Sequence, residues 1–288
     1  MTDKQKLIII KLMLSTMVIL VISILLWNYL GWRICRLFAY EVGNYELLIS
    51  EEASEQDSLK QFEDVVIQKE GINATYPRIL TGGSAVMLEE WNWIIKEDFD
   101  KIMQIYSFQP FPGPTPPSTN VVPILLTVSY EVKSNTEAWL SLLYRANYSS
   151  IYSAHPSNLV YTTNIDKRGS RRLRLSDIIN LNDAFVKEFR TWKLKSKPED
   201  TKEVQEAIYD YINHISDEEL LAGFQSADQI GSNNPWGIYS YLTEDSIGIS
   251  IEVPNYAGDH AEFEQAFTHL DQYLKPEFSK LASPSPGQ

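Results

Sequence analysis

Two hydrophobic patterns divide this chain. From Leu12 to Gly31, twenty residues (LMLSTMVILVISILLWNYLG) pass without a charge. At about 1.5 Å rise per residue, such a segment spans the roughly 30 Å hydrocarbon core of a bilayer. Lys11 stands just before it, and Trp27, Tyr29 and Trp32 cluster at its far end, where amphipathic rings favour the interface. The run exceeds the ~7–15 residues of a signal-peptide core, and no small-x-small site follows beyond a poor Leu37-Phe38-Ala39. Cys35 follows Trp32-Arg33-Ile34, which does not fit a lipoprotein site. The pattern predicts a short cytoplasmic leader over 1–11, an uncleaved transmembrane anchor over 12–31 and an acidic juxtamembrane stalk over 32–61, with the body outside the cell.

Beyond residue 61 the pattern alternates between short strands and amphipathic helices. Phe62–Gln68 and Ile72–Ile79 read as strands, with Tyr76-Pro77 expected to end the second because proline lacks the ladder donor. Ser84–Phe108 carries apolar residues at Leu88, Trp91, Ile95, Phe99, Ile102 and Tyr106, the steps of a one-sided helix, with Ser84 as its cap. Trp91 and Trp93 cannot share that face. Prolines at 110, 112, 114, 116, 117 and 123 predict an extended loop. Then Ile124–Val132, Ala138–Tyr148 and Asn158–Asp166 read as strands. A broken helix is expected from Ser176, its cap, to Leu194, followed by helices over Thr201–Ile215 and Asp217–Phe224. A hairpin pairs Ile238–Leu242 with Ile247–Val253, a strand lies near Phe263, and Leu270–Leu274 reads as the closing helix. Strands and helices without strict alternation argue an α+β class. The body is expected in two parts. The first covers 62–109, completed by strands after the loop 110–123; the second covers 124–278, before a disordered tail at 279–288.

Charge sharpens this picture. The chain of 288 residues has a net charge of −13. Residues 1–36 hold five basic residues and one acid, leaving 20 basic and 37 acidic residues beyond them, a net of −17. Such a body repels phosphate, so no nucleic-acid partner is expected. It also repels anionic headgroups, and suits a cationic partner. One cysteine excludes an internal disulfide framework.

Motifs for chemistry are scarce. The four histidines, His155, His214, His260 and His269, show no metal-binding spacing, and there is no HExxH, GxSxG, P-loop or GxGxxG. No catalytic residue, metal or cofactor is expected, although a pair of hydrolytic carboxylates has no sequence signature that would reveal it. Asn73-Ala74-Thr75 and Asn147-Tyr148-Ser149 match a glycosylation sequon. Sixteen tyrosines are the other unusual count. Aromatic residues suit both sheets and recognition surfaces, so Tyr148, Tyr152, His155 and Tyr256 are the candidate ligand-binding residues.

The order of landmarks carries a resemblance. Tyr76-Pro77-Arg78-Ile79 precedes the amphipathic helix. Leu140-Ser141-Leu142, Ala154-His155-Pro156 and Asn164-Ile165-Asp166 then lead into Leu173-Arg174-Leu175-Ser176-Asp177-Ile178. Tyr241-Leu242-Thr243-Glu244-Asp245 and Tyr256-Ala257-Gly258 follow. Over residues 62–278 this resembles the extracytoplasmic region of RsiV-type anti-sigma-V factors, which sense lysozyme, and the non-catalytic N-terminal part of PdaC-type peptidoglycan deacetylases. The resemblance implies a two-part α+β module that binds at a bacterial cell envelope, either a cationic lysozyme-like protein or peptidoglycan. About ten residues precede the anchor, too few for a sigma-binding domain, and no deacetylase motif follows. The alternatives left open are a cell-wall polymer hydrolase and a structural partner in an envelope complex.

Overall fold

The computed structural model describes residues 61–69, 71–107, 124–150, 153–195, 201–231, 234 and 236–282, all within the unit 49–288. The expected anchor, the stalk up to residue 60, the proline-rich loop, Tyr152 and residues 283–288 lie outside them. Among the described residues no helix is long and apolar enough to cross a membrane.

The chain forms two sheets. In the larger, β1 (Phe62–Lys69), β2 (Ile72–Ile79), β3 (Ile124–Asn135), β4 (Trp139–Ser150), β5 (Ser157–Asp166) and β6 (Arg171–Arg172) lie in sequence order. All neighbours are antiparallel except β2 and β3, which pair in parallel over Ile72–Ala74 alone. The parallel step is where α1 (Ala85–Ser107) intervenes. The smaller sheet has the order β7-β10-β9-β8, built from β7 (Lys193–Leu194), β8 (Tyr239–Leu242), β9 (Ser246–Glu252) and β10 (His260–Ala266). Helices α2 (Leu175–Ile178), α3 (Asp183–Phe189), α4 (Lys202–His214), α5 (Asp217–Gln225) and α6 (Pro276–Ala282) accompany it. The class is α+β, and the change of sheet falls after Arg172. The strands of 124–166 belong to the first sheet.

Period-two alternation explains why β4 sits between two cores. Leu140, Leu142, Tyr144 and Ala146 face α1, where Trp91, Ile95, Phe99, Ile102 and Tyr106 are buried. Each such side chain contributes roughly 1.5–3 kcal/mol by leaving water. Trp139 and Leu143 face the other way; Trp139 joins the second core with Phe189, Phe224, Phe263 and Phe278. The two tryptophans of α1 separate as their spacing requires. Trp91 is buried and donates to Ser170 Oγ at 3.2 Å, whereas Trp93 lies under the Arg172 guanidinium.

The second sheet joins the first through the edge of β8. Thr243 N–H donates to the Ser246 carbonyl, so Ser240 and Leu242 turn their backbone groups away from β9. Side chains satisfy all four groups. Ser240 N–H donates to Asp228 Oδ1 (2.5 Å), and its carbonyl accepts from Asn164 Nδ2 (2.7 Å). Leu242 N–H donates to Ser141 Oγ (2.9 Å), and its carbonyl accepts from Ser134 Oγ (2.7 Å). An edge buried without such partners would cost about 1–3 kcal/mol for each orphaned group.

Four expectations are corrected. Pro77 stays inside β2, opposite Asp64. Leu80 N–H donates to the Gln61 carbonyl, which places Pro77 in the pair type that makes no bond to β1, and β3 pairing has already ended at Ala74. The missing donor therefore leaves no ladder bond unmade. Ile79, pointing the same way, uses Asn92 of α1 as its partner: its N–H donates to Oδ1 at 2.7 Å, and its carbonyl accepts from Nδ2 at 2.8 Å. Ser176 lies inside α2, which Arg174 precedes as cap, and Asp177 reaches back to the Arg174 N–H. Leu270–Leu274 is a turn that bridges Leu274 to Ile179, because its backbone is drawn to α2. The closing helix starts at Pro276, a residue preorganised for a helix's first turn. It carries Phe278 and Leu281 into the core, so 279–282 is not tail.

Asp228 provides a test. It is half-buried, in a left-handed turn (φ 62°), and accepts from Ser240 N–H, Ser240 Oγ, Leu175 N–H and Thr162 Oγ1. Burial pushes its carboxyl up to about 6, against an ordinary 3.8, although these hydrogen bonds pull it back. Between those values the folded state holds a proton that the unfolded state has released. Stability contributed by Asp228 therefore falls as pH rises through that window. Urea unfolding of the wild type and Asp228→Asn should show the wild type's advantage shrinking from pH 4 to pH 6.5, by on the order of 3 kcal/mol. A pH-independent difference would exclude the linkage.

Candidate functional site

The candidate site lies where the loop after β9 meets β4 and β5. Asn255–Ala257 forms a single 3-10 turn, followed by left-handed Gly258 (φ 98°) and Asp259 (φ 67°). Glycine takes that conformation without cost, and aspartate tolerates it better than most residues. The reversal closes with Val253 N–H donating to the Asp259 carbonyl at 2.9 Å. Asp259 then fastens the loop to the large sheet. Its carboxylate accepts from Asn158 N–H at 2.8 Å and from Asn255 Nδ2 at 3.1 Å. His260 Nδ1 meets the Asn158 carbonyl at 3.0 Å, so both backbone groups of Asn158 are taken from β10's side. Asn147 Nδ2 donates to Asn158 Oδ1 at 2.6 Å and ties in β4.

Arg145 of β4 crosses to β10. Its Nη2 donates to Glu262 Oε1 at 2.8 Å, and its Nη1 lies 3.0 Å from His260 Nε2. His260 Nε2 and Glu262 Oε1 are 3.6 Å apart. Burial by itself would raise the Glu262 carboxyl. The hydrogen bonds and charges of His260 and Arg145 outweigh it and hold the group well below the usual carboxylate range. One step along β10, Glu264 shows the same balance: burial is overcome by Lys195 (2.7 Å), Tyr241 and Ser246, and the carboxyl is held low. Tyr241 lies beneath Lys133 Nζ, 4.5 Å from its ring centroid, and a Cβ on Gly248 would fall 2.0 Å from that ring. Both β10 carboxylates are thus charged and paired with bases. Glu262 ties the two sheets together through Arg145, Glu264 is held within the second sheet, and neither carries a proton to donate at neutral pH.

At the tip of the fastened loop stands Tyr256, 70% exposed. The other sequence candidates fall elsewhere. Tyr148 is on the opposite face of β4 from Arg145 and Asn147, half-buried, with its ring 5.2 Å from that of Tyr106. It is a packing residue of the first core. His155 is exposed in the turn before β5, its Nδ1 3.1 Å from the Pro156 carbonyl. Tyr152 lies outside the described residues. The Asn158–Asp259 link joins the strand that follows His155's turn to the loop that bears Tyr256. Sequence reasoning missed Arg145, Asn158, Asp259, His260 and Glu262. The signal available was the turn Gly258-Asp259 followed by alternating His260, Glu262 and Glu264 on one strand face. Among the described residues, no group of His, Cys, Asp and Glu could hold a metal ion.

No protein-family model matches this chain, and no curated protein matches it. Among solved structures it is similar to a DUF3298 family protein from Pseudomonas aeruginosa PAO1, at 12% identity and a TM-score of 0.45, covering 78% of this chain and 96% of that one. It is also similar to a DUF3298 family member from Bacteroides fragilis NCTC 9343, at 15% identity and a TM-score of 0.40, covering 76% and 96%. No residue role is carried across from either.

The Arg145–His260–Glu262 cluster has a defined pH signature. Because Glu262 is depressed in the folded state, its stabilisation is present above the unfolded carboxylate pKa and is lost as pH falls below it. Glu262→Gln should flatten the acid limb of the stability curve. Arg145→Ala should cost about 2 kcal/mol at pH 7, less than for a fully buried pair because the arginine is partly exposed. Thermal unfolding across pH 3–7 measures both. An unchanged acid limb in Glu262→Gln would remove the cluster from the fold's electrostatics.

Proposed function

We propose that this chain is a membrane-anchored, non-catalytic binding module on the outside of a bacterial cell, whose ligand is a cationic, lysozyme-like envelope protein. The observation that carries the reading is Tyr256. It is a large aromatic side chain left in solvent on a loop that buried Asp259 and His260 hold rigid against two sheets. Exposed tyrosines on preorganised loops make anchors at low entropic cost. The surroundings supply the charge: the residues beyond 36 carry a net of −17, which speeds encounter with a basic partner. The resemblance to the extracytoplasmic part of RsiV-type and PdaC-type proteins supports the same ligand class. The apolar run at 12–31 supports a single-pass anchor with the body outward.

The hydrolase reading keeps one foothold. Desolvation and the neighbouring Asp259 push the Glu252 carboxyl up, as a proton donor requires.

Titration calorimetry of the full chain in detergent against lysozyme tests the proposal. A specific complex persists when salt is raised to about 1 M, where the Debye length is about 3 Å. Tyr256→Ala should weaken it by about 10–100-fold while leaving the unfolding midpoint unchanged. Binding that disappears at high salt, or is matched by cytochrome c, means that charge alone was responsible. Release of sugars from peptidoglycan, abolished by Glu252→Gln, would instead favour the hydrolase.

A further inference from the structure

The acids at the junction of the sheets are answered by the protein, with one exception. Glu262 has Arg145 and His260, and Glu264 has Lys195. Glu252, at the end of β9, reaches solvent, and among the described residues nothing forms a hydrogen bond or ion pair with its carboxylate. The residue is nevertheless held in place. Its N–H donates to the Trp236 carbonyl at 3.3 Å, and its side chain lies against Gly237, where a Cβ would fall 2.7 Å from Oε2. Gly237 is left-handed (φ 52°), which glycine adopts without steric cost, so the seat stays open. Partial burial and the nearby Asp259 push the Glu252 carboxyl up. Asp259 accepts only from the neutral donors of Asn158 and Asn255, so its charge is not met by a base either.

The surroundings are tyrosines. Burial first, and the charge of Glu252 after it, push the hydroxyls of Tyr161, Tyr211 and Tyr239 up. They stay protonated at neutral pH and leave the carboxylate uncompensated. Tyr161 and Tyr239 meet edge to face at 5.2 Å, and Tyr211 is on α4, which packs against the turn bearing Tyr256. Ser250, two residues before Glu252 and on the same face of β9, is buried with its Oγ unpartnered. A fixed carboxylate beside neutral aromatic rings lacks only a donor-rich cation. A guanidinium meets that need: it is planar, always charged and carries five N–H donors. We propose that Glu252 receives an arginine side chain of the cationic partner, next to the loop on which Tyr256 anchors that partner. This arginine site rests on the binding role proposed above and adds the chemical group that the site selects.

The full chain in detergent tests the site with two probes. In saturation-transfer NMR, N-acetylarginine amide should receive signal from the wild type and lose it with Glu252→Gln. Its neutral isostere, N-acetylcitrulline amide, should receive none. Glu244→Gln, which changes an exposed acid in the turn between β8 and β9, should behave as the wild type. In calorimetry, Glu252→Gln should weaken lysozyme binding by about 10–100-fold. Its unfolding midpoint should stay or rise, because glutamine removes a charge that no base offsets. A midpoint lowered by several degrees would mark Glu252 as a structural residue and overturn the proposal. Equal signals from arginine and citrulline, or from the wild type and Glu252→Gln, would overturn it too. The two readings fail separately. If lysozyme does not bind the wild type, the partner reading fails while the arginine probe still decides the site. If lysozyme binds but ignores Glu252→Gln, the arginine site alone fails.

Discussion

An edge strand buried in protein must find partners for every backbone group that would otherwise face water. In this molecule that constraint falls on β8, and the rest of the structure follows from how it is met. Ser134, Ser141 and Asn164 of the large sheet and Asp228 of the turn after α5 supply the four missing partners. A ladder would fix one strand to another at a fixed spacing. Side-chain partners allow β8 to cross the face of β4 and β5 instead, so the second sheet is laid upon the first with no backbone ladder between them. Ser141 and Asn164 are themselves bonded at 2.7 Å, which holds both side chains in place beneath the edge.

That docking places β10 alongside β4 and β5, and the candidate site is a consequence. Arg145 is on the face of β4 turned toward the second sheet, and it meets Glu262 and His260 because β8 has set the crossing. The same contact delivers Asp259 to Asn158 and thereby stiffens the loop under Tyr256. The polar groups at this junction are nearly all engaged with one another, so the junction works as a mount. What it offers to solvent is an aromatic side chain on a fixed support, surrounded by an acidic body. Recognition by such a surface depends on a few desolvated contacts, with long-range charge governing the encounter.

The two halves manage their edges differently. β8 is covered and satisfied from within, Ile79 borrows the Asn92 amide, and the acids of β1, Glu63 and Asp64, are engaged by Arg78 and Tyr130. Tyrosines divide in the same way. Tyr144, Tyr161, Tyr239 and Tyr241 are buried in or between the sheets, where desolvation pushes their hydroxyls up, and among the described residues only Tyr209 and Tyr256 are exposed. Among the described residues the tyrosines therefore serve mainly packing.

Local pattern alone determined much of this protein. The steps of three and four from Leu88 to Tyr106 produced α1, and alternation produced β4 with two buried faces. Thr201 and Ser216 mark the starts of α4 and α5 because their side chains cap the first turn whatever lies around them. The sequence also contains the chargeless run at 12–31 and the excess of acid beyond it. It could not show where one sheet stops, since strand neighbours are chosen by contacts distant in the chain. For the same reason Pro77 and Leu270–Leu274 were misread: a missing donor matters only if a partner strand lies opposite, and a turn becomes fixed only when Ile179 bridges it. The site residues were hidden most completely. Arg145, Asn158, Asp259, His260 and Glu262 are ordinary in sequence and lie up to 117 residues apart. Their meaning depends on burial and on which charges face them, and only the packing of one sheet on the other decides that.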